Sequence, residues 1–437
     1  MKTPLALHNL WHQPLQTGVS IVGVAFALLL VFMQLGFMGA VAHTATNVLG
    51  SLDFDVLIRA PDYLHLYEAG HIQRSDLNIA ANTSGVEAAE PFWMSVQNWR
   101  SLPTSMQPQA NDFHSQFLPI AVMAYDPQHP VFLTPQLQVP HDSLRSSDMI
   151  LLDDNTQAAY GPWRDQPLIP FLPWRVGLFS DADVGRHTEI GGREFTIAGL
   201  YKLGTGLAAN GALITTPAGF ARMTAWDIDS TTSLGLVRLE SSDPQEQAQI
   251  VQHIKQRLQL SPQAVQQRYD SNSDPAFTGS STGSSTGHAS VVSVLTKPEA
   301  LAAERHHWLW QTPFGLIFQM GVVLSLLVGA AIVYMILATD VSNRLSEYAT
   351  LLAMGYSRVY LASIVMTQAV MLSLLGFMCG WIAAELLYRL TYRLSGIPML
   401  MEPNRIVLVA VLGLLMSCGS GLLALRKLWK AEPASLF

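Results

Sequence analysis

The chain has 437 residues, of which 49% are hydrophobic and only 13% are charged, and its net charge is −7. Soluble domains carry about 25% charged residues, so this composition argues against a purely soluble enzyme and a disordered regulator. The negative charge argues against a nucleic-acid-binding surface. Cys379 and Cys418 lie in apolar runs, and they are predicted to be buried free thiols.

Four apolar stretches are long enough to cross a bilayer, which takes about 20 helical residues. None has Asp, Lys or Arg in its middle, where a charge costs about 2.5–3.5 kcal/mol. The predicted transmembrane helices are Thr17–Val41, Pro313–Ala338, Leu361–Tyr388 and Ile406–Leu425. The first could instead be a cleaved signal peptide, since Lys2 precedes it and Ala40-Val41-Ala42 is a small-residue site. Its length favours an uncleaved anchor, because a signal peptide has about 7–15 apolar residues.

Basic residues in the short loops predict the orientation, since they concentrate on the cytoplasmic side. Six lie on one side of the membrane: Lys2, Arg344, Arg358, Arg426, Lys427 and Lys430. Three lie on the other side: Arg389, Arg393 and Arg405. Both termini and the loop between helices two and three are therefore predicted inside. The long segment 43–305, with 27 acidic and 16 basic residues, is predicted outside.

Residues 43–305 have the mixed pattern of an α+β domain. Eight strands are predicted, at Asp53–Arg59, Met94–Trp99, Leu118–Tyr125, Met149–Leu152, Phe195–Tyr201, Gly211–Thr215, Leu234–Leu239 and Val291–Leu295. Helices are predicted at Ser75–Asn82, after Thr216-Pro217, and from Asp243-Pro244 to about Ser261, where a capping residue precedes a proline. A further helical pattern begins at Pro298 and continues towards helix two with Pro313 as its one interruption, which predicts a stalk joined to the outer domain.

Two stretches look like insertions into this domain. Leu102–Pro140 is rich in Pro and Gln, which predicts extended loops or a small subdomain. Asp270–Ser290 is a Ser/Gly/Thr tract, which predicts a mobile linker. The tract matches the G-x-S-x-G hydrolase pattern twice, but a nucleophile elbow needs a strand before it and a helix after it, and the tract has neither.

No motif for nucleotide or metal binding occurs. The phosphate loop G-x-x-x-x-G-K-[ST] is missing, and so are the His-Glu-x-x-His, Cys-x-x-Cys and EF-hand spacings. His306 and His307 would point about 100° apart on a helix, which favours a solvated face over a metal site. The acid pairs Asp153-Asp154 and Asp181/Asp183 lie in turn-rich sequence, so solvated rather than catalytic carboxylates are predicted. No catalytic or metal-binding residue and no bound cofactor are therefore predicted for this chain.

The loop between helices two and three is the most distinctive segment. It predicts a short helix from about Ser342 to Met354 that Gly355 ends. Arg344 and Glu347 lie three residues apart on its surface, and its apolar stripe is Leu345, Tyr348, Leu351 and Leu352. Two interpretations stay open: an interfacial helix among lipid headgroups, or a docking helix for a cytosolic partner.

Small and polar residues mark the predicted membrane helices. Small residues recur every four positions, at Gly376 and Gly380 and at Gly413, Ser417 and Gly421. Such rows allow close helix packing, within one chain or across a dimer. Three glutamines are predicted to face other helices: Gln34, Gln319 and Gln368. Glu385 is predicted to reach water near the outer end of helix three.

One helix before a large outer domain and three after it resembles the FtsX/MacB-type permease superfamily of ATP-binding-cassette systems. The loop SEYATLLAMGYS is similar to that superfamily's coupling segment, in which an acidic residue precedes a Leu-rich turn ending in Gly. Within the superfamily, the similarity is greatest to DevC-like permeases. The shared strings are Phe32–Phe37, Leu52–Asp55, Asn98-Trp99-Arg100, Gly191–Thr216, Leu295-Thr296-Lys297, Thr312–Gly315, Tyr334–Asp340 and the ending Leu425–Phe437, with Glu432 for the usual Asp. The chain departs from the family in the two inserted stretches and at Glu385.

The resemblance implies a permease subunit of an exporter that has no ATPase of its own and works as a homodimer in the bacterial inner membrane. Its implied partners are a separate MacB-like ATPase subunit, which would bind ATP and Mg²⁺, a periplasmic adaptor and, through the adaptor, an outer-membrane channel. ATP-driven closure of the ATPase would move the stalk helices and the periplasmic domain. The implied coupling residues are Arg344, Glu347, Tyr348, Leu351, Leu352, Met354 and Gly355.

Other functions remain open at this point. One rival is an FtsX-like regulator that activates a wall-cleaving enzyme and exports nothing, and another is a lipoprotein-release permease. A membrane-anchored enzyme lacks a credible catalytic constellation. The predicted segments are a cytoplasmic 1–16, helix one at 17–42, the periplasmic domain at 43–305, the stalk and helix two at 306–338, the coupling loop at 339–360, helix three at 361–388, an outer loop at 389–405, helix four at 406–425 and a cytoplasmic tail at 426–437.

Overall fold

The computed structural model describes residues 14–101, 117–134, 137, 144–157, 160, 179–204, 207, 209–259, 292–343, 347–348, 350–351 and 354–430. The chain divides into two compact units. We call Met1–Val41, Leu309–Arg393 and Ile397–Phe437 the membrane unit, and Ala42–Trp308 with Leu394–Gly396 the extramembrane unit. The Ser/Gly/Thr tract Asp270–Ser290 lies outside the described residues, and so does much of the Pro/Gln-rich stretch.

The helices, in chain order, are α1 (Pro14–Ser51), α2 (Arg74–Ala81), α3 (Pro217–Thr224), α4 (Pro244–Gln259), α5 (Lys297–His306), α6 (Pro313–Asn343), α7 (Arg358–Ser395) and α8 (Pro403–Lys430). The strands are β1 (Val56–Arg59), β2 (Ile72–Gln73), β3 (Val86–Ser101), β4 (Leu118–Ala124), β5 (Met149–Asp153), β6 (His187–Ile190), β7 (Arg193–Tyr201), β8 (Ala212–Thr215), β9 (Thr231–Thr232), β10 (Leu234–Leu239) and β11 (Ser293–Thr296). A 3-10 helix occupies Asp181–Asp183, and a π-helix occupies His307–Gln311.

Four of the described helices, α1, α6, α7 and α8, are long and apolar enough to cross a membrane, which confirms the predicted number. Helix α1 runs ten residues beyond the predicted Val41, to Ser51. The extension is helical because it has its own apolar face: Ala45, Val48 and Leu49 are all buried in the extramembrane unit.

The core of the membrane unit forms where all four helices meet. Its buried residues include Leu28, Val31 and Phe32 of α1, Val333 and Leu337 of α6, Leu361 and Val365 of α7, and Val409 of α8. Lipid is as apolar as these side chains, so close packing and hydrogen bonds between helices hold such a bundle together.

The extramembrane unit is built on one nine-stranded sheet in the order β11-β1-β10-β3-β4-β8-β5-β7-β6. Strand β3 has 16 residues, and its two ends pair with different strands of the sheet. Its first part pairs with β10, and its last residues pair with β6, with Trp99 opposite Ile190. Because β6 returns to β3, the strands β3, β4, β8, β5, β7 and β6 close into a ring. The predicted α+β class is therefore confirmed.

Each half of the sheet has its own core. The closed half is filled by Trp93, Trp99, Phe195 and other apolar side chains from its strands and α3. In the open half, α2 and α4 cover one face of β11, β1, β10 and β3, and the buried side chains include Ile58, Leu77 and Ile254. Alternate residues of these strands face the helices, since Val56 and Ile58 of β1 and Val237 and Leu239 of β10 belong to this core.

All eight predicted strands are present; β10 has the predicted bounds, and the other strands have shifted ends. Strand β3 begins at Val86 instead of Met94, and β11 covers Ser293–Thr296 instead of Val291–Leu295. Three short strands, β2, β6 and β9, were not predicted. They are polar and only two to four residues long, so pairing with distant strands specifies them rather than a local apolar pattern.

The predicted continuous helix from Pro298 to Pro313 is interrupted earlier than expected. Helix α5 ends at His306, and a π-helix continues to Gln311 before α6 starts at Pro313. A π-helix hydrogen-bonds at i→i+5, and its residues have no distinct hydropathy period, so the sequence pattern cannot distinguish it from an α-helix.

Two expectations about burial are wrong. Cys379 is exposed on α7, whereas Cys418 is half-buried, and both thiols are free. Asp153 and Asp183 are fully buried instead of solvated. The Asp153 carboxylate accepts hydrogen bonds from the backbone nitrogens of Asn155 (2.8 Å), Leu203 (3.2 Å) and Gly204 (2.6 Å), so it organises a turn.

Candidate functional site: the segment between α6 and α7

The coupling segment, residues 339–360, begins inside a membrane helix. Helix α6 continues to Asn343, and Ser342 Oγ donates a hydrogen bond to the Ala338 carbonyl at 2.6 Å. Ser342 therefore belongs to α6 and not to the short helix predicted from about Ser342, because the apolar-to-polar change at Asp340 does not end α6. Farther along the segment, residues 347, 348, 350 and 351 are helical.

Gly355 ends this helical stretch, as predicted. Its φ is +91°, a left-handed conformation that favours glycine. The Tyr356 amide donates to the Leu351 carbonyl at 3.1 Å, five residues back, which is the 6→1 bond of a Schellman motif. Ser357 then caps α7, since its Oγ accepts from the Tyr360 amide at 3.2 Å. The turn between the two helices is thus fixed by hydrogen bonds at both ends.

Two of the predicted coupling residues point into the protein. Tyr348 is only 2% exposed and belongs to the buried core of the membrane unit. Leu351 is half-buried and packs against the same core. Both side chains anchor the segment to the helix bundle, and Tyr348 is too buried to contact another protein.

An apolar patch faces outward beside them. Met354 is 63% exposed, Tyr356 is 47% exposed and Val359 is 79% exposed. We call these three side chains the 354–359 patch. The Tyr356 ring stacks on Tyr360 at a centroid distance of 5.1 Å, which holds it in place. Glu347 is also exposed, so the described part of this segment presents a carboxylate as well as the apolar patch.

The structure therefore brings together only part of the predicted site. Glu347, Met354 and Gly355 are exposed, while Arg344 and Leu352 lie outside the described residues. Tyr356 and Val359 were not in the predicted set. Both lie beside the turn: Tyr356 directly follows Gly355, and Val359 lies in the first turn of α7 after Ser357.

A polar contact joins the bases of α6 and α7 near this segment. Gln368 Nε2 donates to Asp340 Oδ2 at 2.6 Å, and Gln368 is buried. A hydrogen bond to a charged group is stronger than one between neutral groups. Gln34 also faces another helix, as predicted, because its amide lies against Gly321 of α6. Gln319 instead bonds back along the chain, to the Leu309 carbonyl at 2.6 Å.

The small-residue rows pack inside one chain. The position that a Cβ on Gly376 would occupy is 2.6 Å from Val24, and on Gly380 it is 2.9 Å from the Ala25 carbonyl oxygen. The corresponding position on Gly413 is 2.9 Å from Leu28 of α1, on Gly421 it is 3.1 Å from Met366 of α7, and Ser417 is buried. These residues let α7 and α8 approach their neighbours.

At the other end of α7, Glu385 forms an ion pair with Arg389 at 2.7 Å. Both side chains are partly exposed, in keeping with the prediction that Glu385 lies near water.

The buried acids and the histidines of the described residues were also candidates for a metal site. None of the described His, Cys, Asp and Glu residues form a group of three that could hold a metal ion. The pKa of Asp153 is raised to about 6, mainly because its carboxylate is buried. Its oxygens are occupied by backbone amides, so its place in the fold explains its burial.

One family model and two solved structures are similar to parts of this chain. Residues 320–433 match the family model described as FtsX-like permease C-terminal. No curated protein matches the chain. One similar solved structure is the periplasmic region of MacB from Actinobacillus actinomycetemcomitans, which is 11% identical; the match covers 58% of this chain and 92% of that chain, with a TM-score of 0.31. Another is the extracellular domain of the noncanonic ABC-type transporter YknZ from Gram-positive bacteria, which is 13% identical; the match covers 56% of this chain and 100% of that chain, with a TM-score of 0.30.

Proposed function

We propose that this chain, whose residues 320–433 match the family model described as FtsX-like permease C-terminal, is the permease subunit of a DevC/MacB-type ABC exporter. In this proposal the chain hydrolyses nothing itself. A separate ABC ATPase subunit binds ATP and Mg²⁺, and its closure moves the permease. We place the protein in the bacterial inner membrane as a homodimer, with the extramembrane unit in the periplasm beside an adaptor and an outer-membrane channel.

One observation carries the proposal: the 354–359 patch is exposed on a segment that Tyr348 and Leu351 anchor to the membrane core. Tyr348 and Leu351 fix the segment to the helix bundle, so a push on Met354 is transmitted to α6 and α7 rather than absorbed by a loose loop. The capping hydrogen bonds at Gly355 and Ser357 also restrict the backbone of the turn between the two helices.

The chemistry of the outward face suits a protein partner. Interface cores are enriched in Met and aromatic residues and are surrounded by a polar rim. Met354 and Tyr356 supply the apolar centre, and Glu347 supplies a rim charge. The contact is small, so each of the two central side chains is expected to contribute strongly to binding.

Affinity purification of the full chain in mild detergent, followed by identification of the co-eluting proteins, tests the proposal. The wild-type protein should retain an ABC ATPase, and Met354→Asp should reduce the retained amount at least about tenfold, since a desolvated charge at an interface centre costs more than 1.4 kcal/mol. Val184→Asp is a matched control, because Val184 is 41% exposed but belongs to the extramembrane unit.

Three results would change the proposal. If Met354→Asp and Val359→Asp both keep the ATPase at wild-type levels, the patch is not the coupling contact. If a wall-cleaving enzyme co-elutes with no adaptor, the FtsX-like regulatory function replaces export. If lipoproteins and no adaptor co-elute, a lipoprotein-release permease replaces it. Size-exclusion profiles of the variants show whether each is folded.

A further inference from the structure

Glu304 is a buried carboxylate to which the proposed coupling mechanism assigns no role. It lies in the last turn of α5 and is only 1% exposed. Burying a charged group is costly unless hydrogen bonds replace the lost water. Such a residue near the end of the extramembrane unit therefore needs a structural reason for its burial.

The partners of Glu304 come from two separate parts of the chain. Oε2 accepts from the Tyr63 hydroxyl at 2.6 Å, and Oε1 accepts from the Leu66 amide at 3.1 Å. Oε1 also accepts from the Trp308 indole at 3.0 Å. The carboxylate thus ties the loop after β1 to the first turn of the π-helix. All four residues belong to the extramembrane unit.

Aromatic packing surrounds this set of bonds. The His65 ring lies 5.0 Å from the Trp308 ring and 5.4 Å from the His307 ring, centroid to centroid. The Arg59 guanidinium lies 4.4 Å from the centre of the Tyr63 ring. Burial and the nearby Glu304 charge raise the pKa of the Tyr63 hydroxyl well above its ordinary value. That hydroxyl therefore remains a proton donor.

The other end of α5 is tied to the same strand. Strand β11 leads directly into α5 and pairs with β1, with Val56 opposite Thr296. The Lys297 amide donates to the Asp55 carbonyl at 2.8 Å. Helix α5 has ten residues and is about 15 Å long. It is held at its start next to Val56 and at its end by the loop that follows Arg59.

We propose that Glu304 is a positioning residue for coupling, a latch that makes β1 follow any displacement of the chain at His307. This inference rests on the proposed function, since it assumes that motion arrives through the helix that starts at Pro313. Without the latch, the end of α5 would lose the three hydrogen bonds that hold it to the loop after β1. Motion would then unwind its last turn instead of moving the sheet.

Three variants separate the latch from general stability. Glu304→Leu removes every acceptor and leaves the three donors of Tyr63, Leu66 and Trp308 unsatisfied. Glu304→Gln keeps Oε1 as an acceptor for the Leu66 amide and the Trp308 indole, and its amide can donate to the Tyr63 hydroxyl. Glu299→Gln is the matched control, because Glu299 lies on the same helix and bonds only within the N-terminal capping box among the described contacts.

Hydrogen–deuterium exchange on the full chain in lipid nanodiscs tests whether the latch exists. In Glu304→Leu the amides of residues 60–68 and 304–308 should exchange roughly tenfold faster or more, because a lost hydrogen bond in a buried site lowers the local opening free energy. Glu304→Gln should stay near the wild-type rate, and Glu299→Gln should not change these residues. If Glu304→Leu exchanges like the control, no latch exists.

The same measurement on the complex with its co-purifying ATPase tests coupling. A nonhydrolysable ATP analogue should alter exchange at residues 56–68 of the wild-type chain, and Glu304→Leu should abolish that response while Glu304→Gln preserves it. If the response persists in Glu304→Leu although the latch has opened, Glu304 does not position β1. If the wild-type complex shows no response anywhere in the chain, the proposed function fails, and the result for the latch in the isolated chain stands by itself.

Discussion

The α-carbon of Gly380 lies so close to helix α1 that a Cβ there would be 2.9 Å from the Ala25 main-chain oxygen. A main-chain oxygen in a helix cannot move aside as a flexible side chain can. The contact therefore sets the distance between α1 and α7. Gly376, one turn earlier, lies similarly close to α1, where its neighbour is the Val24 side chain.

Gly380→Ala should destabilise the membrane unit by about 1–3 kcal/mol, since overpacking forces the two helices apart. The control is Gly419→Ala, because nothing lies within 4 Å of the Cβ that alanine would add there. Alanine is also the better helix former. The unfolding midpoint of the full chain in detergent should fall for Gly380→Ala alone, and equal midpoints would mean that the close approach is not limiting.

Replacement of Gly355 tests the turn that presents the 354–359 patch. A non-glycine residue in the left-handed region costs about 1–2 kcal/mol. Gly355→Val should therefore loosen the turn, accelerate exchange of the Tyr356 amide and weaken retention of the ATPase. Asn tolerates this conformation, so Gly355→Asn should keep most of both properties. If valine and asparagine behave alike, the positive φ is not what orders the turn.

Gln368 and Asp340 should be energetically coupled across α6 and α7. Gln368→Leu removes the donor to the Asp340 carboxylate and should cost about 1–3 kcal/mol. Adding Asp340→Leu to that variant should cost less than Asp340→Leu alone, because the pair has already been broken. Unfolding midpoints of both single variants and the double variant measure the coupling. Additive effects would show that the 2.6 Å contact contributes no stability.

The burial of Asp153 predicts a specific pH dependence. Its pKa is about 6 in the folded protein and about 3.9 in an unfolded chain. The folded state binds more protons in this window, so stability should fall as the pH rises from about 4 to about 6, by up to about 3 kcal/mol.

Asp153→Asn isolates this effect from other titrating groups, since its side chain does not ionise. The pH-dependent difference between the unfolding midpoints of wild-type and variant full chains is the measurement. Raising the pH from about 4.5 to about 6.5 should lower the wild-type midpoint relative to that of Asp153→Asn. A constant difference between the two would mean that Asp153 titrates normally.

Local patterns in the sequence were sufficient for the main elements of this fold. Runs of apolar residues predicted the four membrane helices, and the globular patterning of residues 43–305 predicted eight strands. What the sequence could not predict depends on distant pairing. Strand β6 is a polar four-residue segment that exists because Trp99 and Arg100 of β3 pair with it. Closure of the ring follows from this one pairing, which has no local signal.

The candidate site shows the same limit at the level of single side chains. Gly355 was predicted correctly, because a glycine after an apolar helix is a local signal. Tyr348 and Met354 are both hydrophobic, and one is buried while the other is exposed. The hydrophobic character of the two residues does not predict which one is buried, because that depends on where the turn lies relative to the helix bundle. Cys379 was misjudged for the same reason, since membrane helices are apolar on both their buried and their exposed faces.

Site-specific photocrosslinking in cells tests the central claim most directly. A benzophenone amino acid at position 354 should form an adduct with a nucleotide-binding ABC subunit, and the same probe at position 184 should not. An adduct at position 184 to that subunit, or a position 354 probe that crosslinks only to lipid while the ATPase still co-purifies, would contradict the claim that this chain receives its driving motion at the 354–359 patch.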